Sequence, residues 1–359
     1  MPARDVTDTP DLSRVRRVLV IRHRAAGDLL LTTPALRALR AGLPSARIDV
    51  LVSRGMGALL HGNPDVDHVI EIDRSSVLSQ LRHYTKLLAG RYDLVLDMVS
   101  NPRSAFMAAL TRASIRVGFD IPGRSWAYTV RVPRDPVGPG GPVVRYAPEA
   151  SLDLVRSLGL APRGLTLTLR VAAEARERMD SWMRERGLGS RAIVACLPAG
   201  SWSTKTWIPE RFSSVMDAMH EEADVVWLWG PGGEPLARAC LNRMKGPSTL
   251  APPTTWGELA ALLERASLLV SNDSGPKHAA IALGVPTVTI FGPTNPGAWH
   301  PPAGPHAAVE ATGLPCLHCN ETRCPLPGEQ YLRCMRDVSV EQVVEACRLR
   351  LAERIGATA

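Results

Sequence analysis

Residues 268–294 read LLVSNDSGPKHAAIALGVPTVTIFGPT, and this stretch decides the fold interpretation. Its apolar start, Leu268–Ser271, is typical of a buried parallel strand. A polar turn follows, and a proline then occupies the first turn of a helix, where its missing N–H would have had no partner. A second strand is predicted over Thr287–Phe291. The stretch therefore predicts a βαβ unit in which Asp273 or Ser274 caps the helix.

The start of this helix follows the carboxyl end of a strand, which is where open α/β sheets bind their ligands. The first backbone N–H groups of a helix have no intrahelical partner, and the helix dipole adds partial positive charge. A phosphate group could therefore bind here. An ordinary helix cap without a ligand is the alternative, and local physics alone leaves both open.

Strands and helices alternate on both sides of this stretch. The other predicted strands are Val18–Ile21, Ile48–Val52, Val69–Ile72, Leu94–Met98, Ile193–Leu197 and Val225–Trp229. Such alternation favours parallel sheets flanked by helices, so the predicted class is α/β.

The length of 359 residues suits two domains of medium size, each with its own core. A charged helix, Ala172–Arg186, precedes a fresh strand, and we place the domain junction just before it. The first domain is predicted over residues 1–165 and the second over residues 172–335. The closing helix, residues 339–355, carries an apolar stripe that we expect to pack back on the first domain.

The net charge of +7 is unevenly distributed. Residues 1–165 hold 23 lysines and arginines against 15 acidic residues, a net charge of +8, whereas the remainder holds 19 against 20. Most of these cations are arginines, which suit bidentate contact with phosphates and carboxylates. An anionic acceptor or membrane face would explain this asymmetry, and an ordinary solvated surface would explain it as well.

The sequence lacks a run of about 18 apolar residues, which a membrane-spanning helix would need. The N-terminal segment MPARDVTDTPDLSRVRR is polar and charged, unlike a signal peptide. We therefore expect a cytosolic protein.

Four of the seven cysteines lie close together, spaced Cys316-x2-Cys319-x4-Cys324-x9-Cys334. In a cytosolic chain such a cluster indicates a zinc site before disulfides. The spacing is not that of a common zinc module. We interpret residues 316–334 as a stapled loop, either zinc-bound or reduced.

Gly27 and Asp28 follow the first predicted strand, where an α/β protein presents functional side chains. A dinucleotide-binding turn would need the pattern G-x-G-x-x-G here, which is absent. A carboxylate would repel a pyrophosphate but can accept a proton from a hydroxyl group. Helix capping is the other interpretation of Asp28.

Gly200 and Ser201 follow the first strand of the second domain, and Lys205 comes shortly after. Backbone N–H groups, a hydroxyl group and an ammonium group could together stabilise negative charge on a diphosphate. A surface lysine before a helix is the alternative. The glycine-rich residues 229–234 end in Glu234, but their spacing does not match a common phosphate-binding motif.

Three segments of the chain resemble glycosyltransferase family 9, the ADP-heptose:lipopolysaccharide heptosyltransferases. The run DSGPKHAAIALGVPTVTIFGPTNP, which begins at Asp273, is similar to the family's D-[ST]-G-x-x-H followed by a strand ending in [FY]-G-P-T. Residues 198–212 resemble the family pattern P-x-[GA]-[AS]-x3-K-x-W-x2-E-x-[FW]. The pattern [RK]-x4-G-D-x5-P is matched by Arg22, Gly27, Asp28 and Pro34.

The resemblance implies the GT-B fold, in which two Rossmann-like domains with parallel sheets face a central cleft. It also implies an inverting transfer of heptose from ADP-L-glycero-D-manno-heptose to the inner core of lipopolysaccharide. Asp28 would be the base that deprotonates the acceptor hydroxyl group, and Lys205 would stabilise the leaving diphosphate. No metal ion or other cofactor is expected in catalysis, and zinc at the cysteines would be structural.

The substrate-binding residues also follow from the resemblance. The expected donor-binding residues are Gly200, Ser201, Glu234, Asp273, Ser274, Gly275 and His278. Arg22 and Arg24 would contact the acidic sugars and phosphates of the acceptor. The expected partners are an ADP-sugar donor, the lipid A-core oligosaccharide acceptor and the anionic inner face of the inner membrane. The protein would be cytoplasmic and would bind this membrane face peripherally. Nucleic acid is not an expected partner.

Other functions stay open from the sequence. A family 9 transferase could use another nucleotide sugar or acceptor. A nicotinamide-dependent oxidoreductase would share the α/β layout, but it should show the glycine-rich turn that is absent here. A zinc-containing nucleic-acid binder would explain the charge and the cysteines, but aromatic residues make up only 5% of the chain, which leaves little for base stacking.

Overall fold

The computed structural model describes residues 9–73, 77–138 and 141–356. The chain divides into two compact units, Met1–Arg170 and Val171–Ala359, called here unit 1 and unit 2. Residues 1–8, part of the polar N-terminal segment, lie outside the described residues.

In its described residues, unit 1 contains a parallel sheet and five α-helices. The strands are β1 (Arg17–Ile21), β2 (Arg47–Ser53), β3 (His68–Ile72), β4 (Leu94–Asp97), β5 (Ile115–Phe119) and β6 (Val130–Val132). The helices are α1 (Ala26–Leu30), α2 (Thr33–Gly42), α3 (Val77–Ala89), α4 (Pro102–Leu110) and α5 (Pro148–Arg156). The sheet order is β3-β2-β1-β4-β5-β6, and a separate antiparallel hairpin joins β7 (Val137–Gly138) to β8 (Gly141–Pro142).

Unit 2 repeats this design. Its strands are β9 (Ile193–Leu197), β10 (Asp224–Trp227), β11 (Thr249–Leu250), β12 (Leu268–Asn272), β13 (Thr287–Ile290) and β14 (His306–Val309). Its helices are α6 (Ala173–Arg184), α7 (Pro209–Met219), α8 (Glu234–Arg243), α9 (Trp256–Arg265), α10 (Gly275–Ala282), α11 (Pro296–Trp299), α12 (Arg333–Arg336) and α13 (Val340–Gly356). All its strands are parallel, in the order β11-β10-β9-β12-β13-β14.

The predicted α/β class with two Rossmann-like domains is confirmed, and each predicted strand is present with bounds within two residues. Every residue of β9 and of β12 is buried, which explains their continuous apolar runs. In each sheet the strand order switches sides at the first strand, between β1 and β4 and between β9 and β12, although the strands stay parallel. The carboxyl ends of strands at such a switch are open to a ligand.

The closing helix α13 corrects one expectation. Its apolar stripe, formed by Val343, Cys347 and Leu351, is buried in the core of unit 2 together with Trp207 and Phe212. The helix packs on α7, β12, β13 and β14. The stripe therefore covers apolar surface of unit 2 itself, whereas the sequence suggested packing on the first domain. Across the described residues, none of the helices is long and apolar enough to cross a membrane.

Candidate functional site

The carboxyl ends of three neighbouring strands in unit 2 carry most of the predicted donor-binding residues. Gly200 and Ser201 follow β9, whereas Asp273 and Ser274 follow β12. The turn after β13 adds Thr294. Because β9, β12 and β13 are parallel neighbours, these turns lie at one edge of the sheet.

Asp273 is the centre of a buried charge cluster at this edge. Its Oδ2 atom accepts hydrogen bonds from Lys205 Nζ at 2.8 Å and from Thr294 Oγ1 at 2.8 Å. Its Oδ1 atom accepts a hydrogen bond from Lys277 Nζ at 2.6 Å. All four side chains are buried. The structure thus brings two predicted site residues, Asp273 and Lys205, into direct contact.

The cluster carries net positive charge. Burial alone would raise the pKa of Asp273, but the charges of Lys277 and Lys205 and their hydrogen bonds outweigh burial and hold that pKa well below its ordinary value. Asp273 is therefore ionised at neutral pH. Burial lowers the pKa of Lys277, but its ion pair with Asp273 opposes that shift and favours the ammonium form. Two ammonium groups against one carboxylate leave a net charge of about +1, which favours an anionic ligand.

The sequence pattern did not single out Lys277. The family pattern D-[ST]-G-x-x-H leaves its position open, and lysines are almost never fully buried unless paired. Here the side chain is fully buried, with Nζ donating to the Trp299 carbonyl oxygen at 2.9 Å and lying 4.7 Å from the centre of the Phe291 ring. The one sequence signal was the four-residue spacing from Asp273, which places the two side chains on one helix face.

Lys205 lies in a short 3-10 turn, Ser203–Lys205, and its Nζ atom is 4.3 Å from the centre of the Trp202 ring. Gly200 approaches this turn closely. A Cβ atom at Gly200 would lie 2.9 Å from the carbonyl carbon and oxygen of Lys205. The absence of a side chain at position 200 therefore allows the turn that carries Lys205 to approach this closely.

The start of α10 is not capped as predicted. Ser274 occupies the N-cap position, but its side chain makes no capping hydrogen bond, and its buried Oγ atom has no hydrogen-bond partner among the residues described. Both carboxylate oxygens of Asp273 are engaged by lysines instead. The backbone N–H groups at the start of α10, from Gly275 onward, can therefore bind an anion.

His278 lies one turn inside α10. It is buried, and its Nδ1 atom has no hydrogen-bond partner in the described part of the chain. Burial, reinforced by the charge of Lys277, lowers the pKa of His278 well below its ordinary value. The imidazole is therefore neutral at physiological pH and can donate one hydrogen bond and accept another. Its contact with the donor stays a prediction.

Two other predicted donor-binding residues lie outside the charge cluster. Glu234 begins α8 and forms an ion pair with Arg238, 2.7 Å away, on the surface. Ser201 is exposed in the turn after β9. Both follow strands of the same sheet edge, and their roles in donor binding stay predictions.

In unit 1, Asp28 lies within α1, directly after β1, and is not its N-cap residue. Its Oδ2 atom is 2.9 Å from Nη2 of Arg22, and Nη1 of the same arginine donates a hydrogen bond to the carbonyl oxygen of Met98, the residue after β4. The side chain of Asp28 is 30% exposed, and Arg24 is exposed on the turn before α1. Asp28 is thus accessible and held by one cation.

A second carboxylate of unit 1, that of Asp97, was not predicted to matter. It accepts hydrogen bonds from the backbone N–H of Ser100 at 2.9 Å and from the Tyr128 hydroxyl group at 2.7 Å. Burial nevertheless raises its pKa. Beside it, Asn101 lies 3.3 Å from His23. The sequence feature that could have identified this group is its position at the end of β4, the strand next to β1.

The four clustered cysteines line one cavity of about 70 Å³. Burial, together with the three other cysteines, raises the pKa of Cys334 to about 11. None of the seven cysteines, all of which lie in the described residues, forms a disulfide bond. Within the described residues, however, no group of three or more His, Cys, Asp or Glu side chains is arranged to hold a metal ion. The cavity places the four cysteines together, and both the stapled loop and its zinc stay predictions.

Known proteins resemble this chain along most of its length. A family model described as glycosyltransferase family 9 (heptosyltransferase) matches residues 80–329. Lipopolysaccharide heptosyltransferase 3 of Escherichia coli is 30% identical over 296 residues, which cover 77% of this chain and 84% of that protein.

Solved structures share the fold. The glycosyl transferase family 9 protein of Veillonella parvula matches with a TM-score of 0.81 at 23% identity, covering 94% of this chain and 97% of that one. The E. coli heptosyltransferase WaaC, solved with ADP, matches with a TM-score of 0.69 at 20% identity, covering 93% and 99%.

Proposed function

The chain belongs to glycosyltransferase family 9, and we propose that it transfers heptose from ADP-L-glycero-D-manno-heptose to the inner core of lipopolysaccharide with inversion at the anomeric carbon. It is a glycosyltransferase, which sets aside the oxidoreductase and nucleic-acid-binding alternatives. The relatives support the choice of substrates, because one is a lipopolysaccharide heptosyltransferase and another was solved with ADP.

The charge cluster around Asp273 is the observation that carries the proposal. Lys205 and the start of α10 place positive charge and N–H groups at one sheet edge, which suits a diphosphate. As the bond to the sugar breaks, negative charge grows on ADP, and Lys205 would stabilise it together with Ser274 and Gly275. The other donor contacts would come from Gly200, Ser201, Glu234 and His278.

Asp28 would act as the general base. The acceptor oxygen attacks the anomeric carbon on the face opposite ADP, while its proton passes to the Asp28 carboxylate. The bond between the anomeric carbon and the diphosphate oxygen breaks, and ADP leaves with that electron pair. The ion pair with Arg22 supports this role by geometry, because a partner 2.9 Å away orients the Asp28 carboxylate while leaving it partly exposed. Arg22 and Arg24 would contact the anionic acceptor.

A transfer assay tests the proposal, with purified protein, ADP-heptose and a heptose-deficient lipopolysaccharide core, with and without EDTA. We expect the acceptor to gain one heptosyl unit and an equal amount of ADP to be released, whether or not the chelator is present. Lysine and helix N–H groups would neutralise the leaving diphosphate, so catalysis needs no metal ion. Transfer that stops in EDTA would contradict this point.

Calorimetric titration with ADP, UDP and NAD tests the proposed donor independently of the proposed acceptor. Selective ADP binding without transfer to this core would overturn the proposed acceptor. Transfer from another nucleotide sugar, but not from ADP-heptose, would overturn the proposed donor and favour a family 9 transferase of different specificity.

We also propose that the protein works at the cytoplasmic face of the inner membrane, held peripherally by anionic lipids. The net charge of +8 over residues 1–165 supports this attraction. We expect the protein to sediment with phosphatidylglycerol vesicles and to dissociate in high salt, because salt screens the attraction. Equal binding to phosphatidylcholine vesicles, or binding to neither, would overturn the proposal.

A further inference from the structure

The two lysines that hold Asp273 differ in what else they can reach. Lys277 is fully buried, and its ammonium group contacts the Asp273 carboxylate, the Trp299 carbonyl oxygen and the face of the Phe291 ring. Two of its three N–H bonds have oxygen acceptors, and the Phe291 ring lies 4.7 Å from Nζ in a side chain that has no exposed surface. Lys277 therefore serves the protein itself and does not contact a ligand.

Lys205 is held less completely. In the part of the chain that the structure describes, its one hydrogen-bond acceptor is Asp273 Oδ2, and the Trp202 ring lies against its ammonium group. Its side chain is 10% exposed. An N–H group of Lys205 is therefore available to an anion at the sheet edge.

One positive charge could not neutralise both the Asp273 carboxylate and an anionic ligand, even though a lysine has enough N–H groups to bind both. If Lys205 turned towards a phosphate, a carboxylate that depended on it alone would keep its charge in a buried place, which is strongly unfavourable. Lys277 removes this conflict because it binds the other carboxylate oxygen, Oδ1. The Thr294 hydroxyl group also donates to Oδ2, so this oxygen has a second donor besides Lys205.

We propose that Lys277 is a positioning residue that neutralises Asp273, so that Lys205 can turn to the diphosphate of the donor. The inference rests on the proposed function, because it takes Lys205 as the residue that contacts the diphosphate. In this proposal Lys277 does not contact the ligand, but its charge leaves Lys205 able to bind the diphosphate.

The first test is calorimetric titration of full-length variants with ADP, with adenosine affinity measured by competition as the reference. Lys277→Gln removes the charge but keeps an amide that can donate to Asp273, and Lys277→Met removes both. We expect the Kd for ADP to rise about tenfold or more in each variant. Adenosine lacks the diphosphate, so its Kd should stay within about twofold.

The matched control is Lys245→Gln, which removes one positive charge at an exposed position of the same unit. It should leave the affinities for ADP and adenosine unchanged. Unchanged ADP affinity in both Lys277 variants would overturn the proposal, and so would equal losses of ADP and adenosine affinity, since those indicate a general packing defect.

The second test combines Lys277→Gln with Asp273→Asn. Without the carboxylate, Lys205 has no competing charge, so the double variant should bind ADP within about threefold of Asp273→Asn alone. A purely structural role for Lys277 would make the two losses add, and that result would overturn the proposal. If the single Lys277 variants do not fold, rescue of folding by Asp273→Asn supports the proposal, and failure of rescue overturns it.

ADP binding by wild-type protein and by Lys205→Met distinguishes failure of this inference from failure of the proposed donor site. If wild type does not bind ADP, or if Lys205→Met binds ADP as tightly as wild type, the proposed donor site itself fails. If Lys205→Met weakens ADP binding while the Lys277 variants do not, only the role of Lys277 fails.

Discussion

The side-chain oxygen Oδ1 of Asn272 accepts a hydrogen bond from the backbone N–H of Trp207 at 3.0 Å. The same amide donates through Nδ2 to the carbonyl oxygen of Pro198 at 2.7 Å. One buried side chain therefore holds both ends of the turn that carries Lys205. Since Asp273 is the next residue along the chain, this amide also fixes the distance between Lys205 and its partner.

Replacement of this amide should loosen the site. Asn272→Leu leaves the N–H of Trp207 and the carbonyl of Pro198 buried without partners, so the free energy of unfolding should fall by about 2–4 kcal/mol. Equilibrium urea unfolding measures this change. The surface variant Asn242→Ala should stay within about 0.5 kcal/mol of wild type. Wild-type stability in Asn272→Leu would show that the turn is held by other contacts.

Asp28→Asn should separate catalysis from donor binding. Loss of the general base should lower kcat by about a hundredfold to ten-thousandfold. ADP affinity should stay within a few-fold of wild type, because the proposed donor contacts come from unit 2. Steady-state kinetics and calorimetry check the two quantities, with the exposed Asp135→Asn as control. A variant that keeps most of its turnover would remove Asp28 from the mechanism.

Gly200→Ala should weaken ADP binding without unfolding the protein. The added methyl group would lie 2.9 Å from the backbone of Lys205, so the turn has to shift and Lys205 moves with it. We expect the Kd for ADP to rise about tenfold. Gly356→Ala, where an added Cβ atom meets nothing within 4 Å, is the control. Equal ADP affinity in both variants would contradict the role of Gly200.

The free energy of unfolding should fall as the pH drops from about 6.5 to about 4. Burial, with the charge of Lys277, lowers the pKa of His300 to about 4, and burial, with the charges of His300 and Arg350, lowers that of His306 to about 4. Unfolded histidines titrate near about 6.5, so the unfolded chain binds more protons in this window. Urea midpoints measured across the window test the loss.

A matched pair of variants assigns this pH dependence. His300→Asn should make the loss of stability smaller, whereas the exposed His61→Asn should leave it as in wild type. Equal pH dependence in both variants would mean that other groups are responsible.

Metal analysis tests the prediction at the four cysteines. If the staple takes zinc, protein purified without chelator should carry about one equivalent, which Cys319→Ser should lower. The buried Cys240→Ser is the control and should keep the zinc content of wild type. Absence of zinc, with the four thiols reactive towards a thiol reagent, would establish the reduced form of the staple.

The central strands could be predicted from sequence because burial on both faces makes them continuously apolar. Ile193–Leu197 has the predicted bounds, and Val18–Ile21 differs from β1 by one residue. One strand inside a sheet, β5, was also missed, since its sequence IRVGF is interrupted by an arginine and a glycine, and so were the edge strands β6, β11 and β14. They are short and less apolar, so pairing with a neighbouring strand defines them more than their own residues do.

The candidate site was predictable where it follows local pattern and motif. Asp273 and Lys205 were expected in one site, and they are in contact. The environment of Lys277 could not be predicted, because the groups that surround it, Phe291 and Trp299, come from other segments of the chain. The expected cap by Asp273 failed for the same reason, since lysines from two segments engage its carboxylate.

The burial of α13 in the core of unit 2 determines the order in which the two halves can fold during synthesis. All strands and helices of unit 1 precede Val171, so this half can fold as soon as it leaves the ribosome. Unit 2 must wait for Val343, Cys347 and Leu351, which complete its core from the far end of its sequence. Until these residues emerge, the surface that α13 covers on α7 and β13 stays exposed to solvent. The nascent chain then consists of a folded unit 1 and an incompletely folded unit 2.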